Sequence, residues 1–600
     1  MRGEGLAWRH QEDVVGVMEP LADRTLRWAL ALIDPPRAER LIAPAEKPDP
    51  GALVALLERQ KVPLLSLHGP LALRLQVAGP AWGEAVAREQ GSYDAQRAEF
   101  ARVLGALARG GVPGLLIKAV GCPPSFPYRS DNLDLLVPAP ASAQVGRLLL
   151  ELGYVEVRNV EEPAKFLFRR FAGGQSVGTV HLHERVGWGT GFMDEAGLWR
   201  RARPAPDDPE LLIPGPGDAL LITLAHAFYE DKRFSLGDLQ RLLCCLRGEG
   251  LDWAEVAAVA RGRGWYVGYL AAAALVAGAE KAHYGDTLWP DDVLAAAREL
   301  PAWARRGLNP QGEPPWRVPF ARSKRHYFHK LAADRALSGR AKLADGVRHA
   351  AAGLKRKLGV RSQRPFLVAL HGVDGSGKTA QAEALVAAFG TCELRARRSW
   401  RRLASSPLSG RIIGWARRLA GGAPRASGGP EERLAARRRQ LRSPLLRAGF
   451  TWLSALDLWL GYLRQVAWPL WRGQVIVADR YVLDAAAELG QLLGHPAPER
   501  LVAVRLLRAL SPRPHLACLL EVPPELAASR SSVAESAGLL AEQARTRRRL
   551  AALWGVRVVD GSRPFIEVSA EIERDALRCY YAGFRTVLNA VFLTNPRRRG

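Results

Sequence analysis

The segment RPFLVALHGVDGSGKTAQAEALVAAFG, residues 364–390, determines the architecture of the C-terminal half of this chain. Its residues 366–371 are an apolar run with the length of a buried parallel strand. The next residues, from Gly372 to Thr379, complete the pattern G-x-x-x-x-G-K-[ST]. Residues 380–389 combine strong helix formers with apolar residues at helical spacing, which predicts a helix. A glycine loop between a strand and a helix predicts a phosphate-binding site.

The residue types of this loop suit a nucleoside triphosphate. Backbone N–H groups can converge on phosphate oxygens where side chains are small, and the N-terminus of the following helix adds partial positive charge. Lys378 would reach the β- and γ-phosphates, and the Thr379 hydroxyl would hold Mg²⁺. We therefore predict ATP and Mg²⁺ as cofactors, with ATP bound by Gly372, Gly375, Ser376, Gly377, Lys378 and Thr379.

The chain length and the net charge limit the possible domain organisation and partners. A chain of 600 residues is too long for one hydrophobic core, so two to four domains are expected. The net charge of +25 is compatible with nucleic acid or an acidic membrane surface as a partner. Codon bias of a GC-rich genome, which favours Arg, Ala, Gly and Pro, explains the same charge without any partner. Both explanations stay open.

The cysteines and the N-terminus favour a cytoplasmic protein. No two of the six cysteines form a CxxC pair, so we expect reduced thiols and neither a zinc site nor a disulfide framework. The first residues, MRGEGLAWRHQEDVV, contain no apolar signal-peptide region. The apolar segment 452–471 is interrupted by Asp457, Arg464 and Pro469, which indicates a buried helix. The six cysteines are Cys122, Cys244, Cys245, Cys392, Cys518 and Cys579.

Further strands are predicted after the glycine loop, at 391–396, 474–479, 515–522 and 556–560. Helical segments separate them, which is typical of a doubly wound α/β domain. We therefore predict for residues 363–600 a parallel sheet of about five strands with helices on both faces. Ligands of such sheets bind at the carboxyl ends of the strands, where the glycine loop lies.

Three later segments narrow the functional class. An apolar strand ends in Asp479-Arg480-Tyr481, a Pro-Pro break at 523–524 leads into a helix ending at Arg530, and a turn at 560–564 precedes the last helix. Together with the glycine loop, their order and spacing resemble the thymidylate kinase family of nucleoside monophosphate kinases. The resemblance covers residues 363–600 and implies a phosphotransferase, commonly a dimer, acting on a nucleotide or another phosphorylated small molecule.

The resemblance also implies roles for particular residues. Asp479 and Arg480 would lie at the acceptor phosphate with Asp374 beside them, and Asp479 would share Mg²⁺ with Thr379. Arg563 in the 560–564 turn would support the adenine. A lid, or alternatively a charged helix face, would be formed by Arg530, Arg545, Arg547, Arg548 and Arg549. The catalytic residues would then be Lys378, Asp479, Arg480, Asp374 and Arg530.

The acceptor side departs from that family. Residues 393–400 read ELRARRSW where thymidylate kinases carry Arg-Glu-Pro-Gly, and the expected Ala-Asp-Arg is reduced to Ala455-Leu-Asp457. An Arg-rich insert occupies about 400–445. The acceptor therefore stays open.

The N-terminal half begins with a predicted helical subdomain over 1–110, followed by a second domain over 111–300. There a strand and glycine turn, 112–121, precede a strand that carries acids at its start, 128–137. Acids in that position hold divalent ions in nucleotidyl transfer. This half resembles a bacterial nucleotidyltransferase-like family of α+β fold, with parallels at Lys118, Arg129, Asn132, Asp134, Tyr154, His181, His183, His226 and Asp238.

Two expected acids are replaced in this half. Asn132 stands at the first position of the D-x-D pair, and Asp131, one residue away, would point to the opposite face. His181 stands where the later strand should carry an acid. The domain is therefore either degenerate or active with altered ligands, with Asp134 as a possible metal ligand.

A basic helical linker is predicted over 301–362. It places basic residues among aromatics at 322–330, which suits either a nucleic-acid or membrane contact or an amphipathic connector. Three functions follow from the whole chain. They are an ATP- and Mg²⁺-dependent kinase, a nucleotidyltransferase with a nucleotide-binding partner domain, and a non-enzymatic ATP-binding regulator.

Overall fold

The structure, a computed structural model, describes residues 23–42, 49–67, 80–129, 132–157, 164–357, 363–401, 403, 430–531 and 536–587. The N-terminal residues 1–22, Asp131 and most of the Arg-rich insert, 404–429, lie outside these ranges. The described residues divide into an N-terminal unit, 23–169 and 178–357, and a C-terminal unit, 170–177 and 363–587. Among the helices in these ranges, none combines the length and the apolar character needed to cross a membrane.

The N-terminal unit contains a mixed seven-stranded sheet in the order β3-β4-β5-β2-β1-β7-β6. Its centre is the parallel pair β2 and β5, and β1 joins β2 antiparallel. A separate antiparallel pair, β8 and β9, lies outside this sheet. The strands are β1 Leu115–Leu116, β2 Leu133–Leu136, β3 Val155–Val157, β4 Lys165–Ala172, β5 Gln175–His183, β6 Arg203–Pro204, β7 Leu212–Ile213, β8 Arg233–Phe234 and β9 Trp316–Arg317.

Helices precede, interrupt and follow this sheet. Those on either side of it in sequence share one hydrophobic core, in which Leu56, Leu220, Trp265 and Tyr327 are buried together. The residues expected to form a separate subdomain and linker therefore belong to one unit with the sheet. The helices are α1 Asp23–Ile33, α2 Pro50–Arg59, α3 Pro80–Arg109, α4 Ser142–Glu151, α5 Glu195–Arg201, α6 Pro216–Ala225, α7 Leu236–Arg247, α8 Trp253–Gly262, α9 Tyr266–Tyr284, α10 Asp291–Arg298, α11 Ala302–Arg305, α12 Phe320–Ala333 and α13 Gly339–Lys357.

The C-terminal unit is built on a five-stranded sheet in the order β11-β12-β10-β13-β14, and all its neighbouring strands are parallel. This confirms the predicted α/β sheet. The strands are β10 Phe366–Gly372, β11 Ala396–Trp400, β12 Val475–Asp479, β13 Leu516–Glu521 and β14 Arg557–Asp560. The second strand was expected at 391–396, and that position is wrong. The helix after the glycine loop continues to Thr391, so the strand begins only at Ala396.

Helices cover both faces of this sheet, as predicted. On one face Leu367 and Ala369 of β10 pack with Leu458 and Tyr462. On the other face the Phe366 ring lies 5.3 Å from that of Tyr580. The helices are α14 Lys378–Thr391, α15 Pro430–Gln440, α16 Pro444–Tyr462, α17 Trp468–Trp471, α18 Val482–Leu493, α19 Val502–Leu510, α20 Pro524–Arg530, α21 Ala537–Trp554 and α22 Phe565–Val587.

The expectation that all six cysteines are reduced is wrong for two of them. Cys122, in the loop after β1, is disulfide-bonded to Cys244 of α7, while Cys245, Cys392, Cys518 and Cys579 are free thiols. The bonded cysteines are separated by 122 residues in sequence. Their pairing depends on how the loop packs against the helix, so spacing alone gave no signal of it.

Candidate functional site

The glycine loop connects the central strand β10 to helix α14. Gly375 and Gly377 have φ angles of +81° and +84°, a region that L side chains rarely adopt. A Cβ on Gly375 would also overlap the carbonyl oxygen of Ala527. Gly377 directly precedes the first helical residue, Lys378, so the helix N-terminus faces into the loop. The backbone therefore has the geometry that an anion-binding loop requires.

Lys378 lies inside this loop and is 5% exposed. Its ammonium donates to the carbonyl oxygen of Val373 at 2.5 Å and to Ser376 Oγ at 3.4 Å. Burial and the nearby Arg480 lower the pKa of Lys378 to about 8, although Asp484 and Asp374 oppose that shift. The loop thus holds a desolvated cation whose partners are a backbone carbonyl and a hydroxyl of the loop itself.

Thr379 and Asp479 meet at the carboxyl edge of the sheet. The Thr379 hydroxyl donates to Asp479 Oδ2 at 2.7 Å. Asp479 is brought there because it pairs in register with Leu370, two residues before the loop begins. Its other oxygen, Oδ1, is buried and has no hydrogen-bond partner among the described residues. A hydroxyl beside a buried carboxylate with one spare oxygen fits an Mg²⁺ site.

Arg480 links the loop to the next helix. It adopts a positive φ of 77°, and its guanidinium donates to Asp374 in the loop and, at 2.7 Å, to Glu488 of α18. The structure therefore brings Arg480 and Asp374 into contact. Both carboxylates occupy the guanidinium, so an acceptor phosphate would have to displace one of them.

A buried ion cluster behind the loop was not found from the sequence. Asp484 accepts hydrogen bonds from His371 Nδ1 at 2.7 Å and from Arg547 Nε at 3.0 Å, and all three side chains are almost fully buried. Burial raises the pKa of Asp484, but His371 and Arg547 more than offset this and leave the pKa well below its usual value. The cluster connects β10, α18 and α21. Its one sequence signal was a charged residue in the first turn of a largely apolar helix.

The other predicted arginines lie in several places. Arg530 donates to the carbonyl oxygen of Gly561 at 3.2 Å, and Arg563 pairs with Glu571. Arg548 and Arg549 pair with Glu521 and Glu499, at 2.7 and 3.0 Å, on the surface. Arg545 is exposed, whereas Arg547 is buried. The run 545–549 therefore does not face a single point in this structure.

Sequence reasoning also missed the position of Arg398. This residue of β11 lies 3.8 Å from Asp479 Oδ2 and 2.9 Å from Glu383. Arg398 belongs to the segment 393–400, which departs from the pattern of the family that this half resembles. A basic group therefore lies beside the buried carboxylate of Asp479 at this edge of the sheet.

The N-terminal unit has a second polar cluster, formed on the parallel strands β2 and β5. Asp134 pairs in register with His181, and His183 lies two residues further along the same face of β5. The opposite face of β2 carries Leu133 and Leu135 into the core. Three polar side chains are thereby directed to one side of the sheet.

Asp134 is the centre of this cluster. Its Oδ1 lies 3.2 Å from His181 Nδ1 and 3.0 Å from His183 Nε2, while its Oδ2 lies 2.9 Å from Lys118 Nζ. Burial raises the pKa of Asp134, but Lys118 and the two histidines outweigh it and hold the pKa well below its usual value. Burial lowers the pKa of His181 and lowers that of His183 to about 4. The site therefore combines one ionised carboxylate with two neutral imidazoles.

This donor set does not fit a pair of Mg²⁺ ions. Asn132 and His181 bring no negative charge, and Lys118 already compensates the remaining carboxylate. The Asn132 amide nitrogen instead lies 2.6 Å from His181 Nδ1. The replacement of two acids in the sequence therefore leaves Asp134 as the carboxylate of this cluster.

Other residues of the predicted pattern have structural partners. Arg129 pairs with Glu89 at 3.1 Å, and Tyr154 donates to Glu99 at 2.8 Å. Asp238 accepts from the backbone N–H of Ser235 and so stabilises the start of α7. A cavity beside Lys118 is lined by Arg129, Ser125 and Arg241, among other residues.

Comparison with protein families supports the N-terminal prediction. Residues 46–278 match the family model described as "Uncharacterised nucleotidyltransferase". The match includes all seven strands of the mixed sheet and the cluster around Asp134. This part of the chain is therefore similar to that family of nucleotidyltransferases. A comparison with curated proteins finds no match to this chain.

Proposed function

We propose that this chain is a nucleotide-dependent transferase and that its C-terminal unit transfers the γ-phosphoryl group of ATP to a phosphorylated small molecule. The hydrogen bond of 2.7 Å between Thr379 and the buried Asp479, directly below the glycine loop, carries this proposal. It supplies a metal-holding hydroxyl and carboxylate at the same sheet edge as the loop amides. The resemblance to thymidylate kinases supports the same reaction.

The donor side would work through positioning and charge. The loop amides and the N-terminus of α14 would bind the β- and γ-phosphates, and Lys378 would leave the Val373 carbonyl to follow the transferred group. Mg²⁺, held through Thr379 and Asp479, would neutralise charge between the phosphates. Because Lys378 is already desolvated, the main change on nucleotide binding would be the exchange of the Val373 carbonyl for a phosphate oxygen.

The acceptor side would depend on arginines. Arg480 would exchange Asp374 or Glu488 for the acceptor phosphate, and Arg398 would add positive charge from the neighbouring strand. Asp374 would then orient the attacking oxygen. This exchange lets the site keep Arg480 paired until an acceptor arrives.

The test uses ATP labelled at the α- and γ-phosphates, with a panel of nucleoside monophosphates and phosphorylated sugars as acceptors. Transfer of γ-label to an acceptor is expected for the wild-type chain, and Lys378→Ala and Thr379→Val should abolish it. Asp134→Asn is the matched control, since it changes the other cluster and should leave γ-label transfer unchanged. Absence of γ-label transfer to every acceptor, with ATP still bound, would reject the kinase assignment.

A second candidate is nucleotidyl transfer by the N-terminal unit. The match of residues 46–278 to the nucleotidyltransferase family favours it over the kinase. In that case α-label would reach the acceptor and pyrophosphate would be released. Asp134→Asn would then abolish transfer, whereas Lys378→Ala would affect it only if the C-terminal unit supplies the nucleotide.

A further inference from the structure

The cluster on β2 and β5 brings three potential metal ligands together. One nitrogen from each of His181 and His183 and one oxygen from Asp134 all lie within 4.8 Å of one another. His183 and Asp134 are 1% and 3% exposed. The proposed kinase reaction does not use these three residues, so their convergence needs a separate explanation.

We propose that Asp134, His181 and His183 bind one divalent transition-metal ion of the zinc, cobalt or nickel class. The site would have replaced the magnesium site that the nucleotidyltransferase fold implies. Imidazole nitrogens suit these metals, whereas Mg²⁺ prefers oxygen ligands in octahedral geometry. Two imidazoles and one carboxylate form a common protein ligand set for the first class and a poor one for the second.

The separations between the donor atoms support this assignment. Metal–ligand bonds of about 2.0–2.2 Å place adjacent ligand atoms roughly 3.0–3.5 Å apart. Asp134 Oδ1 lies 3.0 Å from one imidazole nitrogen and 3.2 Å from the other. The carboxylate oxygen therefore already stands at coordination spacing from both histidines, and a metal ion would require small side-chain rotations rather than a movement of the strands.

The two oxygens of Asp134 have different neighbours. Lys118 lies 2.9 Å from Oδ2, while both histidines approach Oδ1. A metal ion on the Oδ1 side would leave the lysine contact in place. Lys118 would then act as the outer partner that orients the ligating carboxylate, an arrangement frequent around protein-bound metals.

The position next to the histidines also offers a further ligand. The Asn132 amide lies 2.6 Å from His181 Nδ1, and a half-turn of the amide plane would present its oxygen to the ion. The replacement of two acids by Asn132 and His181 is then a change of metal preference rather than only a loss of ligands. The inference is independent of kinase activity in the C-terminal unit.

Metal binding to the full-length chain tests the proposal. Metal-free protein should bind about one equivalent of Zn²⁺ or Co²⁺, with visible ligand-field absorption for Co²⁺, and excess Mg²⁺ should not displace it. His181→Ala should weaken binding by more than the ~10–100-fold typical for loss of an outer partner. His326→Gln is the control, because His326 is a buried histidine of the same unit that contacts the Ala304 carbonyl instead.

His183→Gln is a second ligand variant, to be compared by circular dichroism because His183 is buried. If it does not fold, the partly accessible His181 decides the question alone. No stoichiometric binding by the wild-type chain would overturn the proposal. Equal weakening by the control, displacement by Mg²⁺, or binding that His181→Ala leaves unchanged would overturn it as well.

Discussion

The buried Asp484 offers a quantitative test of how the glycine loop is held in place. Asp484→Asn keeps the side-chain shape but removes the charge that faces Arg547, whose side chain is 3% exposed, and His371. Loss of one partner from a buried ion pair costs about 3–5 kcal/mol, because the remaining charge stays desolvated. For a unit of this size that corresponds to a decrease in Tm of roughly 6–20 °C.

A matched variant isolates the effect of burial. Glu521→Gln removes a carboxylate from Arg548, the residue directly after Arg547 on α21, at a similar distance of 2.7 Å. The side chain of Arg548 is 66% exposed, so this change should cost less than about 1 kcal/mol. The two substitutions are alike in chemistry and differ in solvent exposure.

The measurement is urea unfolding monitored by hydrogen exchange in peptides that cover β10. These peptides report the stability of the C-terminal unit alone. Because the pKa of folded Asp484 is lowered, its stabilisation is complete above the usual carboxyl pKa. It is lost as the pH falls toward the lowered value. Asp484→Asn should therefore show a weaker loss of stability in acid than the wild type. Equal destabilisation by both variants would refute the burial argument.

Three further outcomes are expected. Denatured protein without reductant should show four reactive thiols, rising to six after reduction of Cys122–Cys244, and six at the outset would contradict the bond. Since burial lowers the pKa of Lys330 from 10.5 to about 8, the free energy of unfolding should rise by ~3 kcal/mol between those pH values. Lys330→Met should remove this rise, and an unchanged dependence of stability on pH in this variant would contradict the assignment of the rise to Lys330. Gly375→Ala should abolish ATP binding in a titration because of the carbonyl beside it, whereas Gly390→Ala, with open space around it, should bind normally.

Local patterns predicted the C-terminal sheet and the loop well. β10 and β12 are apolar runs next to helical segments, whereas β11, with the sequence ARRSW, is not, and its position was predicted wrongly. Carboxyl ends of parallel strands share one edge, so Asp479 was expected beside the loop. The buried contacts of Asp484 behind the loop were not predictable. Asp484 lies 113 residues from His371, and no pattern in either neighbourhood indicates the pair.

The arginine run 545–549 shows a different limit. Consecutive residues of a helix are rotated by about 100°, so neighbours along α21 cannot all face one ligand. Arg547 accordingly faces the interior and Arg548 the solvent. In the N-terminal unit the convergence of Asn132, Asp134 and His181 followed from the family resemblance, but the ion pair with Lys118 did not.

The strand order of the C-terminal sheet determines which strands are constrained by two neighbours and which by only one. β10 carries the glycine loop at the centre, with a hydrogen-bonded strand on each side, whereas β11, which carries Arg398, is an edge strand. Substitutions or insertions after an edge strand disturb one neighbouring strand only, whereas changes in β10 would disturb two. If the C-terminal unit has the proposed kinase activity, its acceptor side could therefore change by remodelling of this edge while the glycine loop is retained, and substrate screens should vary the acceptor far more widely than the nucleotide.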